Sequence, residues 1–197
     1  VIYLSGIVNE EHLSKHLSSR KNVENILSEG KYHLTTLRAG IIIGSGSASF
    51  EIIRDLVEKL PIMIAPRWLK TKCQPIGITD VIQFLSRSLF EEQLYDRSID
   101  IGGSDILSYK EMLLQFAEVR GLSRKIIVVP VMTPKLSSYW LYFVTSTSYL
   151  LATSLVDSMK IEVVCRESNI NEILDIDPIS YKKALKKAFS KIESNSV

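Results

Sequence analysis

Apolar positions along the chain switch between the two-residue period of strands and the longer period of helices. Val1 to Ile7 is a short apolar run ending at Ser5-Gly6, the pattern of a buried strand. In residues 9–30, Leu13, Leu17, Val23, Ile26 and Leu27 recur at helical spacing, and Gly30 is a natural stop. Leu34 to Ile43 is rich in apolar and β-branched residues, as in a strand covered on both faces. Gly44-Ser45-Gly46-Ser47 interrupts it, with hydroxyls placed to cap the next helix. Strand, helix, strand in that order predicts a βαβ unit with parallel strands. In open α/β folds, the turn that leaves such a strand at its carboxyl end is where ligands bind.

The pattern continues downstream. Ser49 to Leu60 is amphipathic, with Phe50, Ile53, Leu56, Val57 and Leu60 on one side, and Pro61 ends it. Ile62 to Pro66 reads as a short strand, and Arg67 to Pro75 as a loop. Ile76 to Thr79 is extended, and Thr79 or Asp80 caps a helix reaching Phe90. Ser98 to Ile101 is a strand closed by Gly102-Gly103. Ser108 to Arg120 is a helix, and Ile126 to Val129 a strand stopped by Pro130. Ile161 to Cys165 reads as a strand, and Pro178 leads into a last helix. There is no internal repeat and no low-complexity linker.

Composition narrows the classes. The 197 residues are 46% hydrophobic, enough for one sizeable core, or one core plus an annex. A net charge of +2 with mixed signs gives no nucleic-acid signal. The excess of base lies in the tail, where Lys182, Lys183, Lys186, Lys187 and Lys191 recur at the spacing of a solvated helix face. Cys73 and Cys165 have no paired or metal-like spacing, which points to a reducing cytosol and no disulfide framework. His12 and His33 lack metal-ligand partners, so no metal is expected. The chain opens in the middle of a strand without an initiator Met, which suggests a fragment. Leu136 to Val156 carries no charge and is long enough to span a bilayer. Its many Ser and Thr residues and its clustered aromatics favour a buried or interfacial helix hairpin, peripheral to a membrane at most.

Several stretches, in order, carry a family resemblance: Tyr3-Leu-Ser-Gly-Ile, Leu37-Arg-Ala-Gly-Ile-Ile-Ile-Gly-Ser-Gly-Ser-Ala-Ser-Phe50, Pro66-Arg-Trp, Gln74-Pro-Ile-Gly-Ile-Thr-Asp-Val81, Asp100-Ile-Gly-Gly and Ser137-Ser-Tyr-Trp. On these the chain resembles the carboxy-terminal two-thirds of an atypical or extended short-chain dehydrogenase/reductase. The nearest likeness is to the NmrA-like NAD(P)H-binding group that includes the bacterial YbjT and the complex I 39-kDa subunit. The resemblance implies an α/β, partial Rossmann-like fold: a doubly wound, mostly parallel sheet lacking its N-terminal dinucleotide-fingerprint half. Residues 1–60 would belong to that domain and 61–197 to a smaller substrate-side α/β region, the two interleaved as one unit. No Gly-rich phosphate turn of the GxGxxG kind occurs, so NAD or NADP is expected to bind weakly or not at all to this chain alone.

Site residues follow from the same resemblance. The family's Tyr-x-x-x-Lys pair falls where this chain has His16-Leu-Ser-Ser-Arg20, and Ser5 falls near the catalytic Ser/Thr. A four-residue spacing puts both side chains on one helical face. His titrates near neutral pH, whereas Arg stays cationic and suits phosphate or carboxylate. The alternative is a solvated helix face shared with Lys15 and Lys21. The segment Arg38, Ala39, Gly40, Ile41 and Ile42 corresponds to backbone that meets the nicotinamide carboxamide, with Ala39 in place of a frequent Pro; Arg38 alternatively is an ion-paired structural residue. Ser45, Ser47, Ser49 and Phe50 would line a substrate cleft faced by Arg67, Trp68 and Gln74, an Arg and a Trp suited to a flat anionic ligand. Two functions compete: an NAD(P)H-dependent reductase or epimerase-like enzyme acting on a small molecule, and a non-catalytic dinucleotide-holding module that senses redox state or stabilises a complex. Uncovered sheet edges lead to the expectation that the isolated chain self-associates.

Overall fold

The computed structural model describes residues 1–7, 15–129 and 159–194, with the backbone alone at 15–17. Its first layer is a parallel three-stranded sheet in which β1 (Ile2–Gly6) pairs with β2 (Thr35–Ala39), and β2 with β7 (Ser98–Ile101). Register aligns Leu4, Leu37 and Ile99 across the sheet, and one residue further on it aligns Ser5, Arg38 and Asp100. Because side chains alternate along a strand, the sheet has one apolar face and one polar face. The apolar face packs against Val81 and Phe84 of α3 (Ile78–Arg87), against Leu94, and against Ile170 of the one-turn helix α5 (Ile170–Ile173). The polar face receives α1 (Lys15–Ser28), the crossover from β1 to β2. Helices therefore cover both faces, as in a doubly wound sheet.

The polar face explains why α1 sits differently from its apolar pattern. Val23 and Ile26 are exposed, while Glu24 is buried. Glu24 pairs with Arg38 and accepts a hydrogen bond from Ser98 Oγ at 2.7 Å. A sheet face made of Tyr3, Thr36, Arg38 and Ser98 offers an isoleucine little and a carboxylate much.

The second layer has its own core. β4 (Ile62–Pro66) pairs with β9 (Lys125–Val129), and β3 (Ile42–Ile43) with β6 (Ile76–Gly77), both parallel; β5 (Lys72–Cys73) pairs antiparallel with β8 (Leu107–Ser108). The helices α2 (Ala48–Lys59), α4 (Tyr109–Val119) and α6 (Tyr181–Ser194) close over them. Phe50, Phe116 and Phe189 form a mutual cluster with ring centroids 5.3–5.8 Å apart. α4 begins with a capping box in which Ser108 Oγ accepts from Glu111 N and the Glu111 carboxylate accepts from Ser108 N. α6 buries Ala184, Leu185 and Ala188, leaving Lys183, Lys186, Lys187 and Lys191 exposed.

Other differences from the pattern have local causes. The apolar run 34–43 is two strands, because the chain leaves the first sheet at Gly40 and Ile42–Ile43 joins β6. A Cβ at Gly40 would come 2.9 Å from Val163 Cγ1. The helix expected to reach Phe90 ends at Arg87, and Phe90 turns the chain at φ 63°. The stretch 67–75 contains a 3-10 turn, Arg67–Lys70, followed by β5. Val163 makes only an isolated bridge to Cys73 in place of a full strand. The uncharged segment 136–156 lies outside the described residues; among those described, no helix is long and apolar enough to cross a membrane.

One glycine holds the two layers together. Gly103 N donates to the Pro75 carbonyl at 3.1 Å, and a Cβ at Gly103 would lie 2.2 Å from that same oxygen. Gly103→Ala should therefore destabilise by about 1–3 kcal/mol through forced separation of these segments, read as a lowered thermal midpoint.

Candidate functional site

The carboxyl ends of β1, β2 and β7 lie side by side at Gly6, Ala39 and Ile101. Ile7 N donates to the Ala39 carbonyl at 3.1 Å and extends this edge by one residue. A strap at 163–166 lies across it. Val163 fills the space above Gly40, and a Cβ at Gly102 would come 2.6 Å from Cys165 Sγ. Arg166 clamps Asp100 with Nε to Oδ2 at 2.8 Å and Nη2 to Oδ1 at 2.9 Å, and its backbone N–H adds a third bond. Burial together with the Asp100 charge pushes the Cys165 thiol up to about 12, so it is no nucleophile near neutral pH.

Gln74 takes part in that strap. Its Nε2 donates to the Gly103 carbonyl at 2.8 Å, and its Oε1 accepts from Cys165 N at 3.1 Å. Both ends of the amide are engaged, so Gln74 staples the edge and does not face an open cleft. Trp68 also differs from expectation. Its indole N–H is buried without a partner among the described residues, and its ring meets Tyr109 edge-on at 6.2 Å. Arg67 is exposed, so the two do not form the clamp expected of them.

The turn after β3 is occupied by its own bonds. Ser47 Oγ accepts from Phe50 N and donates to the Ile42 carbonyl, while Gly46, at φ 84°, donates its N–H to Glu51. Ser45 and Ser49 are half-buried beside it. Phe50 is fully buried in the aromatic cluster, which removes it from any cleft wall.

Ser5 and Arg38 sit together in the polar layer under α1. Arg38 is committed to Glu24, by Nε at 3.3 Å and by a second, shorter bond from Nη2. Burial raises the Glu24 carboxyl pKa, but the hydrogen bonds from Arg38 and Ser98 and the charges of Arg38 and Lys21 outweigh that and hold it below its ordinary value. Ser5, two residues before the strand leaves the sheet, is 2% exposed, and its hydroxyl has no partner among the described residues. In the segment 38–42, the carbonyls of Ala39, Ile41 and Ile42 each accept a protein donor, from Ile7 N, Ile76 N and Ser47 Oγ. His16 lies on α1 with its side chain outside the description; Arg20 is half-buried, and its carbonyl accepts from Tyr3 Oη at 3.4 Å. Among the described residues, no group of three or more His, Cys, Asp or Glu is placed to hold a metal.

Sequence reasoning assigns no role to Glu24 or Arg166, and quotes Asp100 only as part of the motif Asp100-Ile-Gly-Gly. A signal existed for Asp100: Thr36-Leu-Arg-Ala39 and Ser98-Ile-Asp-Ile101 both alternate, with opposite charges at the inner polar positions.

No family model and no curated protein matches the chain. Solved structures match in fold. A nucleoside-diphosphate-sugar epimerase from Staphylococcus aureus is similar at TM-score 0.69 and 14% identity, covering 94% of this chain and 63% of that one. An NADPH-dependent quinone oxidoreductase from Escherichia coli, complexed with NADPH, is similar at TM-score 0.71 and 14% identity, covering 95% and 65%. A UDP-glucuronic acid 4-epimerase from Bacillus cereus, complexed with UDP-glucuronic acid and NAD, gives 0.62 and 15%, covering 98% and 61%. The chain thus spans less than two thirds of the length of each. At these identities the likeness establishes the fold: a partial, Rossmann-like α/β unit with mostly parallel strands.

Proposed function

We propose that this chain is the carboxyl-terminal part of an NAD(P)H-binding protein of the reductase and epimerase kind, with its nicotinamide end at the carboxyl edge of β1 and β2. The observation that supports this reading is the Ser5 hydroxyl: buried, without a partner among the described residues, and near the carboxyl edge of a parallel sheet, the edge where such folds hold ligands. A buried hydroxyl without a partner carries a cost of about 1–3 kcal/mol, which a polar ligand group at that edge would relieve. The fold shared with enzymes complexed with NADPH or NAD adds support. The residues present suit only one end of such a cofactor. Ser5 would meet the carboxamide side beside the backbone at 39–42, whose carbonyls at 39, 41 and 42 already accept protein donors, while Ser47 caps the α2 N-terminus by accepting from Phe50 N. When bound, the cofactor supplies hydride chemistry. This chain's part is to orient it, with Arg38 fixed by Glu24 so that the strand end stays rigid.

A second reading, dinucleotide holding without turnover, is favoured by His16 and Arg20 at the Tyr/Lys spacing, since Arg does not act as a base at neutral pH. Titration of NADH and NADPH into the full natural-length protein tests the binding. Ser5→Ala should weaken it about tenfold while leaving the thermal midpoint of the free protein unchanged or raised, because the orphan hydroxyl is gone. Unchanged affinity would overturn the assignment of Ser5. Turnover of carbonyl substrates that is lost in His16→Ala and Arg20→Ala would decide for the enzyme; saturable binding with no turnover would decide for the holding module.

A further inference from the structure

Alternation in β4 and β9 builds an apolar surface away from the sheet edge discussed above. Met63 and Ala65 are buried, while Ile62 and Ile64 stand out at 59% and 56% exposure. Across the pair, Lys125 is in register with Ile62, and Ile127, at 45% exposure, is in register with Ile64. One face of this two-stranded sheet therefore presents three isoleucines and a lysine to solvent. Exposed β-branched residues side by side are uncommon on a sheet that only faces water.

Three cations adjoin the two strands. Arg67 and Lys70 lie in the 3-10 turn that continues directly from β4. With Lys125 they are exposed, and none of the three makes an ion pair among the described residues. On α2, the helix before β4, Glu58 pairs with Arg120 at 3.2 Å and Asp55 with Lys59 at 3.1 Å. Beyond β9 the sequence runs into Leu136–Val156, uncharged and bearing Tyr139, Trp140, Tyr142, Phe143 and Tyr149. Aromatics of this kind concentrate where membrane meets water.

We propose that the outer face of the β4–β9 sheet rests on an anionic lipid surface, the isoleucines entering the headgroup boundary and Arg67, Lys70 and Lys125 meeting lipid phosphates. A second copy of the chain fits less well. Three isoleucines fall far short of the roughly 20–30 residues per side of a stable pair, and a two-fold contact would set these cations against one another. A lipid surface asks for no such area, and each cation near it contributes favourably.

The test is co-sedimentation of the full natural-length protein with phosphatidylcholine vesicles, with and without phosphatidylserine, alongside light scattering of the protein alone. The proposal expects partitioning to the phosphatidylserine vesicles roughly tenfold above the neutral ones, reduced by added salt. Ile64→Glu with Ile127→Glu, and separately Arg67→Glu with Lys70→Glu, should each reduce it roughly tenfold. All four positions are exposed, and a thermal melt confirms folding; should the first pair unfold the protein, the second still decides. Equal binding to both vesicle types, or binding that neither variant alters, overturns the proposal. So does a wild-type protein that ignores vesicles but loses a dimer on Ile64→Glu, which would assign the face to a second copy.

Discussion

Glu24→Ala should destabilise the protein by about 3–5 kcal/mol, among the largest effects of any single substitution outside the aromatic core. The substitution leaves Arg38, on β2 and buried under α1, without its carboxylate. Removing one partner of a buried pair strands the other charge, and that costs more than the pair itself contributes. The thermal midpoint should fall on the order of 10 °C. Glu24→Leu combined with Arg38→Leu should cost much less than the two changes summed, because no charge is left stranded. The pH dependence has a definite sign. The Glu24 carboxyl is held below its ordinary value, so its contribution is full above that value and is lost as pH falls through the lowered one. Wild-type protein should therefore lose stability steeply on acidification, and Glu24→Gln should flatten that part of the curve. A Glu24→Ala cost under about 1 kcal/mol would mean that α1 is not clamped to the sheet through this pair.

Phe50→Ala should cost about 3–5 kcal/mol as well, with little to distinguish its ligand affinity from that of the wild type. Phe50 touches Phe116 and Phe189, and these rings join α2, α4 and α6 in one cluster. Had it lined a cleft, as its place after the Ser-rich turn suggests, the change would spare stability and weaken ligand binding. Denaturant unfolding separates the two outcomes directly, through the midpoint at constant slope.

These two residues also show where the sequence was legible and where it was not. The βαβ order, the turn at 44–47, the helix starting at Ser108 and the solvated lysine face of α6 follow from period and composition, because each is decided within a few residues. The orientation of α1 is decided elsewhere. Val23 and Ile26 match a core stripe by spacing, yet the surface opposite them is Thr36, Arg38 and Ser98, so the helix turns Glu24 inward. Phe50 and Trp68 are likewise placed by distant partners: Phe116 and Phe189 for the first, Tyr109 for the second. The break at Gly40 was hidden inside one strand-like stretch rich in apolar and β-branched residues, since the two halves differ in their partner strands. Ser5 was reached through resemblance; its missing hydrogen bond is visible only in three dimensions.

The central claim is that ligand meets this chain at the carboxyl ends of β1 and β2. Hydrogen exchange followed peptide by peptide on the full natural-length protein, with and without saturating NADPH and then NADH, tests it most directly. The account predicts slowed exchange at residues 5–7 and 39–49, spreading to 102–103 through Gln74, with the opposite edge at 32–35 unchanged. Saturable binding with protection confined to that opposite edge, or absent from residues 5–7 and 39–49, would contradict it.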